Sequence, residues 1–288
     1  MESIREIFRI GYGPSSSHTM GPRKASELFL KDNIDAKHFE ITLYGSLAAT
    51  GKGHLTDKAI LDVLGRERTK IHWKSDIFLD LHPNAMMFES FDESGNLMQK
   101  RTMYSIGGGK VIEEDSNLGL EIKEVYPHHN LTEILNYIDE NGLTFWEYVQ
   151  EFESKEIWDY LTEVLQVMKK SVEDGLNEEG VLPGGLRLRR KAMSYYTKAR
   201  SYKPSLKGRC LVQAYALAVS EQNASGGKIV TAPTCGSCGI VPAVLYHLNT
   251  EHEFTDKQII RSIATAGLIG NVIKYNASIS GAEVGCQG

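Results

Sequence analysis

Cysteine is scarce in this chain, and neither sign of charge dominates it. Four cysteines among 288 residues are too few for a small domain held together by disulfides, and a chain of this length buries a core without them. The 32 basic and 37 acidic residues give a net charge of −5, which offers no basic excess for nucleic acid. A composition of 41% hydrophobic and 24% charged residues excludes disorder for most of the chain. The length predicts about two domains.

Long uninterrupted hydrophobic runs are also missing. The best candidate, residues 229–250, holds no Lys, Arg, Asp or Glu and is long enough to cross a bilayer. Two prolines and two glycines interrupt it. They would break the helical hydrogen bonds and leave backbone groups without partners in lipid. We therefore expect a buried loop that leads into a helix, and no membrane contact. The first turns contain Glu2, Arg5 and Glu6, which excludes the apolar core of a signal peptide and favours the cytoplasm.

The first part of the chain mixes short strands and helices. Residues 39–43 and 77–81 are apolar at every second position, which is typical of strands. Between them, Thr56 precedes an apolar helical run that stops at Gly65. This order of elements predicts an α/β sandwich-like domain over residues 1–125.

The pattern becomes helical after about residue 150. Apolar residues from Ile157 to Val172 recur at helical spacing and predict a helix that ends near Gly175. Thr255 and Gln258 form a capping-box pair that opens another helix, with an apolar face from residue 259 to 273. We predict an α+β fold, with a linker containing a short helix over residues 126–150 and a mostly helical domain over 151–288.

Two cysteines stand three residues apart among glycines. The spacing of Cys235 and Cys238 is typical of metal or redox chemistry. A thioredoxin-type site requires such a pair to open a helix after a strand, whereas this region is predicted to be helical. A structural zinc site requires four ligands, and Cys210 falls in an apolar helical run where a buried, inert thiol is expected. From spacing alone, a metal site and a pair of buried structural cysteines both remain open.

A serine-rich turn precedes another apolar helical run. Residues 14–22 contain three serines, a histidine and a threonine. The N-terminus of a helix offers N–H donors and the positive end of its dipole, so this turn suits a carboxylate or a phosphate. Simple capping of a surface helix is the structural alternative.

Three further segments are rich in small and polar residues. Residues 82–86 are expected to end a strand, and the glycine run at 105–109 requires a turn or the close approach of a ligand. Residues 276–288 place hydroxyl groups, Glu283 and Cys286 in a glycine-rich loop. Each segment alone is weak evidence for a ligand-binding site, because glycine runs are usually turns.

Taken together and in order, these segments resemble the iron–sulfur-dependent L-serine dehydratases of bacteria, in which a β domain precedes a helical α domain. The S-S-S-H-T run at 15–19 and the G-A-E-V-G-C-Q-G run at 281–288 are the most specific. The matching segments are 14–22, 82–86, 105–109, 182–190, 221–227, 231–239 and 276–288. Members of this family continue beyond the position that matches residue 288, so the resemblance implies an incomplete α domain. A gene fragment, a split enzyme and a degraded enzyme are three explanations.

The resemblance implies an oxygen-sensitive [4Fe-4S] cluster held by three cysteines, with one iron open to the substrate. Cys238 and Cys286 match the first two ligand positions, and the third ligand is expected beyond residue 288. Cys235 departs from the family, in which many members carry asparagine, and is either a substitute ligand or an inert neighbour. Ala85 stands where glycine is usual. No pyridoxal phosphate is implied.

The resemblance also implies the chemistry. Eliminating the hydroxyl group of serine requires a base at Cα and a Lewis acid at the β-oxygen, and open-site iron supplies the second. A histidine whose pKa is near its unperturbed value suits proton abstraction at neutral pH, so His18 is the expected base. The residues expected to hold the substrate carboxylate are Ser15, Ser16, Ser17 and Thr19. Further substrate contacts are expected from Asn84, Gly109 and Asn223.

Three rival functions belong to other classes. The chain could be a serine-binding module without catalysis, a lyase similar to cysteine desulfidase, or a structural protein stabilised by a zinc site. The products formed from serine and from cysteine separate the first two from a dehydratase, and metal content without iron absorption indicates the third. The expected partners are L-serine and either a second copy of the chain or another chain that completes the α domain.

Overall fold

The structure is a computed structural model that describes residues 1–114 and 123–277. Its strands are β1 (Ile10–Tyr12), β2 (His38–Tyr44), β3 (Thr69–Lys74), β4 (Ala85–Phe91), β5 (Leu97–Gly107), β6 (Lys110–Glu113) and β7 (Lys228–Val230). Its helices are α1 (Gly21–Asp32), α2 (Gly45–Thr50), α3 (Thr56–Leu64), α4 (Leu131–Asn141), α5 (Phe145–Phe152), α6 (Glu156–Asn177), α7 (Ala192–Arg200), α8 (Pro204–Ala224), α9 (Ile240–Glu251) and α10 (Asp256–Asn276). The predicted α+β class is confirmed.

The chain divides into two compact units. The α/β unit contains the described residues 14–114, and the helical unit contains residues 1–13 and 123–277. The first 13 residues, expected in the N-terminal domain, therefore pack with the helices.

A five-stranded sheet in the order β3-β2-β4-β5-β6 forms the α/β unit. Strands β2 and β3 are parallel, and the other neighbours are antiparallel. One face of β2 presents Phe39, Ile41 and Leu43 to a core that also contains Phe29 of α1 and Ile60 of α3. The alternation at 39–43 thus predicts β2 correctly, and the run from Thr56 to Gly65 is α3.

The strand predicted at residues 77–81 is wrong. This segment is a loop, and its apolar side chains at Ile77, Phe78 and Leu81 are 40%, 62% and 55% exposed. The carbonyl group of Ile77 accepts a hydrogen bond from the Gly45 N–H at 2.9 Å, outside any sheet ladder. Alternation alone does not reveal whether the apolar positions have a core to face. Residues 82–86 accordingly lead into β4 and do not end a strand.

The helical unit surrounds a core built by α4, α5, α6 and α10 together with the first eight residues. Phe8 is buried, and Gly267 of α10 lies so close that a Cβ there would be 2.9 Å from its ring. Helix α6 continues through Gly175 to Asn177, two residues past the predicted end. The glycine permits close helix packing, because a Cβ at Gly175 would lie 2.2 Å from the carbonyl oxygen of Ala218 on α8.

The segment expected as a linker, residues 126–150, contains α4 and most of α5. Tyr126, Ile134 and Tyr148 are fully buried in the core of the helical unit. Helix α10 begins at the predicted capping box, where the N–H of Thr255 donates to Gln258 Oε1 at 2.9 Å. Ile273, expected on its apolar face, is 62% exposed.

The long apolar stretch at 229–250 begins in β7, which pairs antiparallel with β1. A loop at 231–239 then leads into α9, as predicted. Among the helices that the structure describes, none is both long and apolar enough to cross a membrane.

Candidate functional site

The serine-rich segment forms a wide π-helical turn, Ser16–Met20, that continues into α1. Ser15 caps this turn, because its Oγ accepts a hydrogen bond from the His18 N–H at 3.1 Å. The N–H of Ser15 in turn donates to Thr19 Oγ1 at 3.1 Å. The turn is therefore closed by its own hydroxyl groups, and His18 is held at its centre.

Hydroxyl groups flank both ring nitrogens of His18. Nδ1 lies 2.9 Å from Ser17 Oγ, and Nε2 lies 3.1 Å from Ser46 Oγ. Burial and the nearby His54 ring lower the pKa of His18 to about 4. The imidazole is therefore neutral at pH 7, which is the form that a general base requires.

The sequence motifs do not identify two residues of this cluster, Ser46 and His54. The His54 ring lies 4.8 Å from the His18 ring, between centroids. Both residues come from the segment 45–56, which begins where β2 ends, and Gly45 there adopts a left-handed φ of +47°. The available signal was the glycine-rich G-K-G-H run at 51–54, between the predicted strand at 39–43 and the helical run that follows Thr56.

Two buried threonines tie the histidine segments together, and we call them the threonine clasp. Thr19 Oγ1 donates to the carbonyl oxygen of His54 at 2.6 Å. Thr56 Oγ1 donates to the carbonyl oxygen of His18. Each threonine thus holds the backbone of the other segment's histidine, and both are almost fully buried. The clasp fixes the spacing of the two rings.

The segments at 82–86 and 105–109 adjoin the same cluster. The Ser46 N–H donates to the carbonyl oxygen of Pro83 at 3.1 Å. Asn84 Nδ2 donates to the carbonyl oxygen of Ser105 at 3.2 Å, and the Ser105 N–H donates back to that of Asn84 at 3.0 Å. Ser105 Oγ packs against Gly21 at the start of α1. Three of the motifs therefore meet within the α/β unit.

The glycine run connects β5 and β6. Gly107, Gly108 and Gly109 all have positive φ, at 109°, 57° and 80°. This left-handed conformation strains other residues, so the glycines are required by the turn itself. A turn thus accounts for Gly109 without any ligand.

Cys235 and Cys238 lie in the helical unit, each 1% exposed. The Cys238 N–H donates to the carbonyl oxygen of Cys235 at 3.3 Å, and α9 begins two residues later. The pair therefore lies between strand β7, which is only three residues long, and helix α9. Burial raises the pKa of the Cys238 thiol to about 12. Cys210, predicted to be buried, is half-buried on α8.

Sulfur donors in a glycine-flanked turn suit iron, so the chemistry of these side chains fits an iron–sulfur group. Within residues 1–114 and 123–277, no cluster of three or more His, Cys, Asp or Glu side chains could hold a metal ion. Cys286, the second expected ligand, lies outside the described residues. The described part of the helical unit thus offers one pair of thiols.

Two further motifs meet in the helical unit. Arg190 Nη2 lies 2.5 Å from Glu178 Oε2 and donates to Ser225 Oγ at 2.6 Å. The buried Glu221 accepts a hydrogen bond from the Lys191 N–H at 2.6 Å. Asn223 lies near the end of α8, so close to Gly13 that a Cβ there would be 2.1 Å from its Oδ1. The segments 182–190 and 221–227 are thus in contact.

Comparison with known proteins places these features in a family. The serine dehydratase beta chain family matches residues 3–68, and the serine dehydratase alpha chain family matches residues 58–288. An L-serine dehydratase of Haemophilus influenzae is 37% identical over all of this chain and 75% of its own length. Those of Streptomyces coelicolor and Escherichia coli (L-serine dehydratase 1) are each 36% identical, over 74% and 75% of their lengths. The chain therefore belongs to the L-serine dehydratase family.

Proposed function

We propose that this chain deaminates L-serine to pyruvate and ammonia by α,β-elimination. The proposal rests on the alignment of this whole chain with relatives named L-serine dehydratase. Its identity to the Haemophilus influenzae relative is 37%. The neutral His18 in the serine-rich turn supports it, because the reaction requires a base beside the substrate.

His18 is the proposed base. A neutral imidazole accepts a proton at one ring nitrogen while the other donates a hydrogen bond. Ser17 and Ser46 occupy those two directions, so the substrate Cα–H must replace one of the hydroxyl groups. The enamine that elimination leaves converts to an imine, which water hydrolyses to pyruvate and ammonia.

The serine-rich turn is the proposed carboxylate site. It lies at the N-terminal end of α1, where N–H groups and the helix dipole favour an anion. Thr19 is already engaged with His54 and Ser15, so within this set it acts mainly by holding the turn. The proposed contacts are Ser15, Ser16, Ser17 and Thr19, with Asn84, Gly109 and Asn223 as further ones.

We propose Cys238 and Cys286 as ligands of a [4Fe-4S] cluster, with Cys235 as an alternative ligand. Such a cluster, when bound, would supply a Lewis acid at the substrate β-hydroxyl. The third ligand of the family pattern is expected beyond residue 288, so residues 1–288 alone should bind little iron. Adding the quarter of the Haemophilus influenzae relative that residues 1–288 do not match gives what we call the extended chain, which should bind more iron. Full iron content and serine turnover from residues 1–288 alone would overturn this expectation.

The activity is tested on the extended chain, reconstituted with iron and sulfide without oxygen. L-Serine should give equal amounts of pyruvate and ammonia, and L-cysteine should give little sulfide. His18→Ala should abolish turnover and leave the visible absorption of the cluster unchanged, whereas the exposed His252→Ala should keep both. Sulfide as the main product would favour a desulfidase, and serine binding without pyruvate would favour a binding module. Normal turnover in His18→Ala would refute the role of the base.

A further inference from the structure

Two thiols share one tight turn of the helical unit. The hydrogen bond from the Cys238 N–H to the carbonyl oxygen of Cys235, at 3.3 Å, closes a turn of four residues. The ends of such a turn have Cα atoms less than about 7 Å apart. Disulfides bridge Cα separations of about 4.4–6.8 Å. The turn therefore brings the Cα atoms of this pair to about the separation that a disulfide bridges.

Neighbouring side chains hold the turn in this shape. Ser237 Oγ donates to the carbonyl oxygen of Ala232 at 2.9 Å and lies 3.1 Å from Thr234 Oγ1. Strand β7 fixes one end of the loop and helix α9 fixes the other. The two thiols therefore stay neighbours in the folded protein.

We propose that Cys235 and Cys238 are a reversible redox pair, which closes to a disulfide when the metal-free protein meets a peroxide. One thiol attacks the peroxide O–O bond, becomes a sulfenic acid and releases water. The second thiol then attacks that sulfur, the S–O bond breaks, and a second water leaves. Both sulfurs together lose two electrons and two protons, and one molecule of hydrogen peroxide is reduced to two of water.

Burial determines which product forms. Both cysteines are 1% exposed, so the first peroxide should react slowly. The sulfenic acid that then forms already lies beside the second thiol, which should react with it before another peroxide reaches the turn. Closing the disulfide should therefore prevent irreversible oxidation to sulfinic acid.

The disulfide excludes iron from the turn, and this part of the inference rests on the proposed function. Only a thiolate binds iron, so Cys238 cannot be a ligand while it is bonded to Cys235. Oxidation would thus keep the protein in a disulfide form that binds no cluster, and a thiol reductant would reduce the disulfide to the two thiols.

Peptide mapping tests the disulfide without any activity measurement. The metal-free chain is treated with hydrogen peroxide, its remaining thiols are alkylated, and it is digested with trypsin. Cleavage after Lys228 and Lys257 puts Cys235 and Cys238 in one peptide, apart from those of Cys210 and Cys286. That peptide should lose two hydrogens, escape alkylation, and regain both thiols with dithiothreitol. Cys235→Ser should abolish this change, and Cys210→Ser should preserve it.

The outcomes separate the two proposals. Alkylation of both thiols after peroxide, cross-linking to either other cysteine peptide, or conversion to sulfinic acid would each overturn the redox pair. In the extended chain, peroxide before reconstitution should abolish iron uptake by the parent, and treatment with dithiothreitol before reconstitution should restore it. A disulfide that forms but does not change iron uptake would overturn Cys238 as a ligand, a part of the proposed function, and leave the disulfide standing.

Discussion

At the scale of single residues, the α/β unit places two histidine rings 4.8 Å apart and hydroxyl groups around them. Two positive charges at that distance repel by about 3 kcal/mol at an effective dielectric constant of about 20. This repulsion and burial both oppose protonation of His18. The cluster therefore keeps the imidazole neutral at pH 7, but it also makes His18 a weaker base than the histidine of near-ordinary pKa that the sequence predicts.

The low pKa of His18 predicts a pH dependence of stability. Between pH 6.5, the ordinary value, and about 4, the unfolded chain binds a proton at this residue and the folded chain does not. The free energy of unfolding should therefore fall as the pH is lowered through this window, and level off below it. One pKa unit corresponds to about 1.4 kcal/mol, and partial solvent screening reduces the total loss to the order of 2 kcal/mol.

Urea unfolding at pH 7, 6, 5 and 4 measures this dependence in the parent and in His18→Gln. The variant should be less sensitive to pH. The half-buried His82, whose pKa is also lowered by burial, contributes to both proteins. Identical pH profiles would mean that His18 titrates normally in the fold.

The threonine clasp gives a second prediction. Thr56→Val keeps the shape of the side chain and removes the hydrogen bond to the His18 carbonyl group. A buried carbonyl group without its partner costs about 1–3 kcal/mol of unfolding free energy. The histidine rings should also separate, so the pKa of His18 should rise toward its ordinary value. NMR titration of the imidazole C–H signals measures that pKa.

Thr50→Val is the matched control for this experiment. Thr50 Oγ1 donates to the carbonyl oxygen of Ser46 at 3.0 Å, but this bond is exposed to solvent. Its loss should change stability by less than about 0.5 kcal/mol. If Thr56→Val left the His18 titration unchanged, the clasp would be structural only.

The sequence motif located His18 but not its neighbours, for a physical reason. Ser46 and Thr56 contact His18 across separations of 28 and 38 residues. Such pairs depend on how α2 and α3 pack against the serine-rich turn, which no local spacing of residues encodes. Cys238, by contrast, forms its turn with Cys235, and that proximity follows directly from the spacing.

At the scale of elements, close helix packing gives a third prediction. Gly175→Ala adds a methyl group 2.2 Å from the Ala218 carbonyl oxygen, so α6 and α8 must move apart. Overpacking of this kind typically costs about 1–3 kcal/mol. Gly208→Ala is the control, because its methyl group would meet only the His247 ring at 3.4 Å and should gain up to about 1 kcal/mol of helix propensity. Chemical unfolding measures the free energy of unfolding of each variant, which should fall for Gly175→Ala and rise for Gly208→Ala. Equal changes in the two variants would contradict close packing of α6 on α8 at Gly175.

Long periodic elements were predictable, and short or exposed ones were not. Strand β2 and helices α3, α6 and α10 follow their apolar period because each buries one face. Strands β1 and β7 are three residues long and exist through their pairing with each other, which leaves no period to detect. The loop at 77–81 has the period of a strand, but Ile77 and Leu81 are exposed and Leu79 packs against the core only in part.

At the scale of the whole molecule, one of the two units is built from two separate stretches of the chain. Residues 1–13 belong to the helical unit, and the next part of the chain forms the α/β unit before the helices continue. Ile4, Ile7 and Phe8 are buried in the helical core, while the described buried residues of the α/β core lie between Ala25 and Ile112. Each unit thus has a separate hydrophobic core.

Separate cores predict separate responses to core mutations. Phe8→Ala should destabilise the helical unit by about 3–5 kcal/mol, and Phe29→Ala should destabilise the α/β unit by a similar amount. Local opening speeds amide hydrogen exchange in the unit that has lost stability. Mass spectrometry should therefore find faster exchange in α6 and α10 for Phe8→Ala, and in β2, β4 and β5 for Phe29→Ala. Faster exchange in both units for either variant would mean that the two cores unfold as one, and that the N-terminal residues stabilise the whole chain rather than the helices alone.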